Sequence, residues 1–270
     1  MRNNHIICPL CGEPVNKLVY RFHIEGERTV IEKIRQENPA WTEKDGICSR
    51  CVDYYQTRIV LQQQILPEIG PHFPVKSPDD FIILPASLRM DADPRFTGKG
   101  VTICFIDSGF FPHADLVASR NRIKAMINIA DSGKKTCDLA YSQPHSWHGT
   151  MTSVVCAGDG YMSKGLYKGI ASEADLVLLK VQDDEGRITT ENLVKALQWV
   201  LANHEFYNIR VVNMSVYDDC SVSYKASLVD QLAEELIGKG IVVVAAVGNK
   251  EDGEIKPPGN SLNVIAVGGI

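Results

Sequence analysis

The sequence predicts a doubly wound, mainly parallel α/β sheet with helices on both faces, preceded by a small zinc-ribbon-like module. Three observations predict it. From Gly98 onward, short apolar runs alternate with segments of helical period. Runs such as Ile241-Val242-Val243-Val244 are apolar on both faces, as central parallel strands are. Before them, Cys8, Cys11, Cys48 and Cys51 form two C-x-x-C pairs.

At 270 residues the chain holds enough material for one large domain and a small one. Its 44% hydrophobic and 23% charged residues are those of an ordinary globular protein. A net charge of −5 argues against a nucleic-acid or membrane-surface role. No run reaches the ~18 apolar residues that span a bilayer. The start, from Met1 to Cys8, lacks the apolar core of a secretory signal. The expected location is the cytoplasm.

Cys8-Pro9-Leu10-Cys11-Gly12 has the form of a zinc knuckle, and Cys48-Ser49-Arg50-Cys51 supplies a second pair. Four thiolates so arranged suit one tetrahedral, structural Zn²⁺. The alternative is disulfides or unrelated thiols, which a reducing compartment disfavours. Between the pairs, residues 29–37 carry Val30, Ile31 and Ile34 at helical spacing. The near balance of charge in this module favours a structural or protein-contact role over nucleic-acid binding. Of the other cysteines (Cys104, Cys137, Cys156 and Cys220), Cys104 and Cys156 fit buried small hydrophobes best.

Residues 52–66 are expected to be a helix, which Pro67, Gly70, Pro71, Pro74 and Pro78 break. His72 there is a loop residue. The expected organisation is therefore a module at 1–51, a helix and Pro-rich linker at 52–97, and a domain at 98–270. Within that domain, strands are expected at 101–106, 175–181, 211–216, 241–247 and 264–267. Helices are expected at 149–157, 190–202 and 228–237, the last closed by Gly238 and Gly240. Asp107, Ser215 and Asn249 then fall at the carboxyl ends of strands, where open α/β sheets place their chemistry.

An Asp that orients a His, and a His that takes a proton from a hydroxyl, are two parts of a nucleophilic relay. Phe105-Ile106-Asp107-Ser108-Gly109 and Trp147-His148-Gly149-Thr150 offer both. Taken singly, Asp107 reads as a turn residue, His148 as a capping or core histidine and Asn249 as a turn. Taken together, residues 98–270 resemble the amino-terminal two thirds of a subtilisin-like serine protease domain. The resemblance rests on Ile106-Asp107-Ser108-Gly109 with His113-Ala114-Asp115-Leu116, on His148-Gly149-Thr150, and on Val212-Asn213-Met214-Ser215. Val243 to Asn249 and Val264 to Gly268 complete it, in the family's order.

The resemblance implies that Asp107 holds His148, that His148 is general base and then acid, and that Asn249 donates to the oxyanion. It implies that Ser215, Val216 and Tyr217 pair with an extended peptide or protein substrate. It admits calcium, for which no ligand set is legible. The pattern departs at Met151-Thr152-Ser153-Val154, at Tyr217, where a glycine is usual, and at Lys250.

The family's Gly-Thr-Ser-Met-Ala motif is not in these residues. Ser108, Ser153 and Ser261 do not fit it. Without the helix that carries it, apolar strands are expected to stand uncovered. Three explanations follow: a fragment of a longer peptidase, a complementing chain that carries the serine, or a non-catalytic relative that binds peptides through the cleft and partners through the zinc module.

Overall fold

A computed structural model describes residues 6–12, 14–15, 28–48, 51–52, 54–55, 85–130, 143–220, 222–249 and 253–268. Most of the helix expected at 52–66, the linker residues Pro67 to Pro78 with His72, and also Cys137 and Lys250 lie outside the described residues. The chain divides into two compact units, Met1–Gln64 and Ile65–Ile270.

In the first unit, β1 (Ile6–Ile7) pairs antiparallel with β2 (Pro14–Val15). The turn between them carries the first cysteine pair. Gly12 closes it at φ 71°, where a side chain would be strained, and donates its N–H to the Cys8 carbonyl at 2.8 Å. Helix α1 (Arg28–Glu37) buries Val30 and Ile34, one turn apart, as their spacing predicts. They pack with Trp41, Ile47 and Tyr55 around the buried sulfurs of Cys8, Cys48 and Cys51. Among the described residues this core is small for an independent fold.

The second unit begins, among the described residues, with a short helix, α2 (Ala86–Arg89). Its sheet comprises β3 (Thr102–Asp107), β4 (Ile123–Asn128), β5 (Asp175–Lys180), β6 (Ile209–Met214), β7 (Val242–Ala246) and β8 (Ile265–Val267). The spatial order is β4-β5-β3-β6-β7-β8, and every pairing is parallel. The chain winds outward from β3 in one direction, returns through β5, and continues from β6 in the other. The reversal lies between β3 and β6, the place where open α/β sheets form a crevice.

Among the described residues the α-helices α3 (Ala114–Val117), α4 (Trp147–Ala157), α5 (Thr190–Tyr207) and α6 (Leu228–Gly238) accompany the sheet. Alternate residues of the central strands sort between the two faces. Cys104, Ile106, Val177, Leu179, Val212, Met214, Val243 and Ala245 form one core with the apolar faces of α5 and α6. The opposite face of β3 meets α4.

Several details differ from the sequence expectation. Helix α5 continues past Ala202 to Tyr207 because Asn203 and Tyr207 are buried, and Asn208 ends it in the left-handed conformation at φ 52°. Strand β6 therefore starts at Ile209, directly after that cap. Cys156 is only half buried, unlike Cys104. The edge strand β4, missing from the expected set, is interrupted by Lys124, which reaches Asp175 at 3.1 Å.

One face of the far half of the sheet is open. Val242 is 45% exposed, Ile265 54% and Val267 53%, and Leu262 just ahead of β8 is exposed too. Val244 pairs with Ile265 and Ala246 with Val267, so these side chains share one surface, opposite α5 and α6. Among the described residues these side chains form one exposed apolar patch.

Candidate active site and metal centre

Strand β3 is apolar and buried along its whole length and delivers Asp107 at its carboxyl end. The carboxylate is fully buried. Its Oδ1 accepts from Ser108 N at 2.7 Å and Ser108 Oγ at 3.1 Å, and stands 2.8 Å from His148 Nδ1. Its Oδ2 accepts from Thr152 Oγ1 at 3.3 Å. Burial pushes the Asp107 pKa up, opposed by the His148 contact and by the Ser108 donors.

His148 lies in the first turn of α4, partly exposed, with the Trp147 ring edge-on at 5.2 Å. The helix is docked by small contacts. Gly149 is buried where a Cβ would stand 2.8 Å from Phe110 Cε1 and 2.9 Å from Asp107 Cβ, with the Gly109 carbonyl closer still. Thr150 Oγ1 accepts from Phe111 N at 2.8 Å. Only glycine permits this approach, and it places His148, the residue just before it, beside Asp107.

With Nδ1 donating to Asp107, Nε2 is the nitrogen left to accept a proton. A cleft of about 590 Å³ opens beside it, lined by Ser108, His145, Trp147, His148 and the acidic loop at 183–185. The three serines considered above are all engaged elsewhere. Ser108 Oγ donates to Asp107 and to the His145 carbonyl, Ser153 Oγ to the Gly149 carbonyl at 2.8 Å, and Ser261 Oγ to Glu234 Oε1 at 2.5 Å.

Ser215, Val216 and Tyr217 follow β6, at the edge where β3 ends. Asn213 Nδ2 donates to Ser215 Oγ at 2.9 Å. The Val216 side chain belongs to the core, so this residue has its backbone to offer, while Tyr217 is half buried. Asn249 follows β7 and is exposed, with Gly248 at φ 103° turning the chain ahead of it. Asp107, Ser215 and Asn249 thus lie at the carboxyl ends of three neighbouring parallel strands. The structure brings Asp107 and His148 into direct contact.

These positions coincide with a known pattern. The subtilase family (peptidase S8) model matches residues 98–270. This chain is a subtilase. Serine protease AprX of Bacillus subtilis (strain 168) is 33% identical over 186 residues, covering 64% of this chain and 39% of its own length. Alkaline elastase YaB of Bacillus sp. (strain YaB) is 28% identical over 173 residues, covering 64% and 40%. The subtilase chain therefore spans about two fifths of these relatives. Among solved structures, Sphericase superposes with a TM-score of 0.53 at 24% identity, covering 63% of this chain and 54% of that one. The S41 psychrophilic protease gives 0.52 at 24%, covering 63% and 53%. The sheet is therefore of subtilisin-like fold.

In the first unit the Sγ atoms of Cys8, Cys11, Cys48 and Cys51 lie within 4.8 Å of one another, with Cys8 and Cys51 at 3.7 Å. A Zn–S bond of about 2.3 Å implies a tetrahedral S···S edge of roughly 3.8 Å. The donor set and its spacing fit such an ion. The Cys51 hydrogen bond brings the Cys48 thiol down to about 5, and Cys51 itself is pushed up by the same contact and by burial.

Proposed function

We propose that this chain is part of a subtilisin-like serine endopeptidase that cleaves peptide bonds through an acyl-enzyme. The nucleophilic serine would come from a segment outside these 270 residues. The observation that carries the reading is the 2.8 Å contact of His148 Nδ1 with the buried Asp107 carboxylate. Asp107 holds the ring with Nε2 toward the cleft and stabilises the imidazolium as it forms. His148 takes the serine proton and returns it to the leaving amine. Asn249 donates its side-chain amide to the oxyanion, a contribution of about 3–4 kcal/mol in sites of this kind. The backbone of Ser215 to Tyr217 receives the substrate as an added strand.

The open face of β6–β8 supports completion by further polypeptide, whether from the same chain or from a complementing one. Cys8, Cys11, Cys48 and Cys51 would hold one structural Zn²⁺, which would supply folding energy to the first unit and no step of the hydrolysis. A location in the cytoplasm accords with that thiolate set. No helix among the described residues is long and apolar enough to cross a membrane.

A second reading, a catalytically inactive relative that binds extended peptides, is favoured by Tyr217 at the substrate strand. The coding sequence beyond Ile270 separates the two. A Gly-Thr-Ser motif there, with fluorophosphonate labelling of the full protein that is lost in His148→Ala, is the expected result. A stop with no such motif nearby, and no labelling, would leave only the binding reading.

A further inference from the structure

Beside α4, away from the 183–185 loop, lies a cavity of about 560 Å³, a size typical of small-molecule sites. Its apolar wall includes Val154, Val155 and Met162. Arg89, His113 and Lys168 also line it. Neither Arg89 nor Lys168 makes an ion pair or a side-chain hydrogen bond among the described residues. His113 Nδ1 accepts from Asp115 N at 3.2 Å, so in the neutral ring Nε2 carries the proton and is a third donor. The one carboxylate in the lining, Asp115, is buried, and its Oδ1 already accepts from Met162 N at 2.7 Å. Two cations therefore face one already engaged carboxylate in the lining, so the cavity favours an anion.

A second lobe of about 300 Å³ shares His113, Val154 and Val155 and extends along α4 to Met151 and Trp147. Val155 is 61% exposed and Trp147 65%, one helical face apart by two turns. Arg89 and Lys168 line only the larger lobe, His113 stands where the two lobes meet, and the smaller lobe carries no Lys or Arg, so the groove is cationic in one lobe and apolar in the other. Val154, on this wall, is one of the positions where the sequence departs from the subtilase pattern.

We infer that this groove binds an amphipathic anion of small-molecule size: an alkyl chain along Val154, Val155 and Met151, ending in a carboxylate or phosphate held by Arg89, Lys168 and His113. Charge complementarity selects the anion, because an uncharged or cationic head would leave the cations unmatched. The groove uses neither Asp107 nor His148, and shares with the cleft only Trp147 at its far end.

The test uses the zinc-loaded chain and sodium dodecanoate below its micelle concentration, followed by calorimetry and by tryptophan emission. Saturable one-to-one binding is expected, with an emission change that Trp147→Phe removes. Arg89→Glu combined with Lys168→Glu should weaken binding at least tenfold, and dodecyltrimethylammonium should not saturate the wild type. Dodecyl phosphate binding more tightly than dodecanoate would support the inference and assign the head group. Val154→Trp should fill the groove and block binding. If that variant does not fold, as judged by its melting transition, the surface charge reversal alone decides. Equal binding of both amphiphiles, or dodecanoate binding that ignores the charge reversal, would overturn the inference and point to the open β6–β8 face. So would no saturable binding at all.

Discussion

Gly149 rests so close to Asp107 that a Cβ on it would come within 2.9 Å of the aspartate's own Cβ. That contact sets the spacing between α4 and β3, and hence the reach of His148. Gly149→Ala must push the helix outward or strain it, at a cost of about 1–3 kcal/mol. The expected result is a melting temperature lower by several degrees, at roughly 2–4 °C per kcal/mol for a domain of this size. An unchanged transition would show that the helix is not held by this approach.

Burying the Asp107 carboxylate costs stability when it is ionised. Its pKa is raised by burial, so the folded state binds its proton more readily than the unfolded state does. Stability from this group is then present at low pH and is lost as pH rises from its ordinary value of 3.8 through the elevated folded value. Asp107→Asn should therefore be at least as stable as the wild type at pH 7, and that advantage should shrink on acidification. Thermal melts across pH 4 to 7 check this. In a full-length peptidase the same change should lower kcat by about 10⁴, through loss of the histidine tautomer.

The cysteine cluster should carry one zinc per chain, measured by atomic emission. Cys8→Ser with Cys51→Ser should remove the metal. Because Trp41 is buried against these sulfurs, its emission should shift to the red in the variant or on chelation, a change absent from Trp41→Phe. Retained zinc in the double variant would exclude the four-thiolate site.

The chain of residues 1–270 should associate through its open sheet face. Val242, Ile265 and Val267 present contiguous apolar surface beside the edge strand β8, a combination that invites pairing. Val242→Lys with Ile265→Lys should shift sedimentation toward monomer with little loss of stability, since both side chains are already exposed. Unaltered association would place the sticky surface elsewhere.

Much of this molecule was legible before any coordinates. The both-face apolar runs specify parallel strands because helices must cover them. The C-x-x-C pairs specify a metal-ready turn, since two thiolates three residues apart reach one ion. The sequence motifs around Asp107 and His148 singled out two side chains that the structure holds 2.8 Å apart. Strand β4 was not legible, because Lys124 interrupts an edge strand that satisfies its charge sideways on Asp175. Nor was the end of α5, where the burial of Asn203 and Tyr207 depends on what packs over them.

What the linear order of residues determined by itself is the local grammar: which segments extend, which coil, and where the paired cysteines and the Asp107 and His148 motifs fall. Only the tertiary structure decided that Asp107 is sealed from water while His148 keeps one nitrogen toward a cleft. It alone left one flank of the sheet bare and set Arg89, His113 and Lys168 around one apolar groove. Those are properties of distance between residues far apart in the chain, and packing, not periodicity, sets such distances.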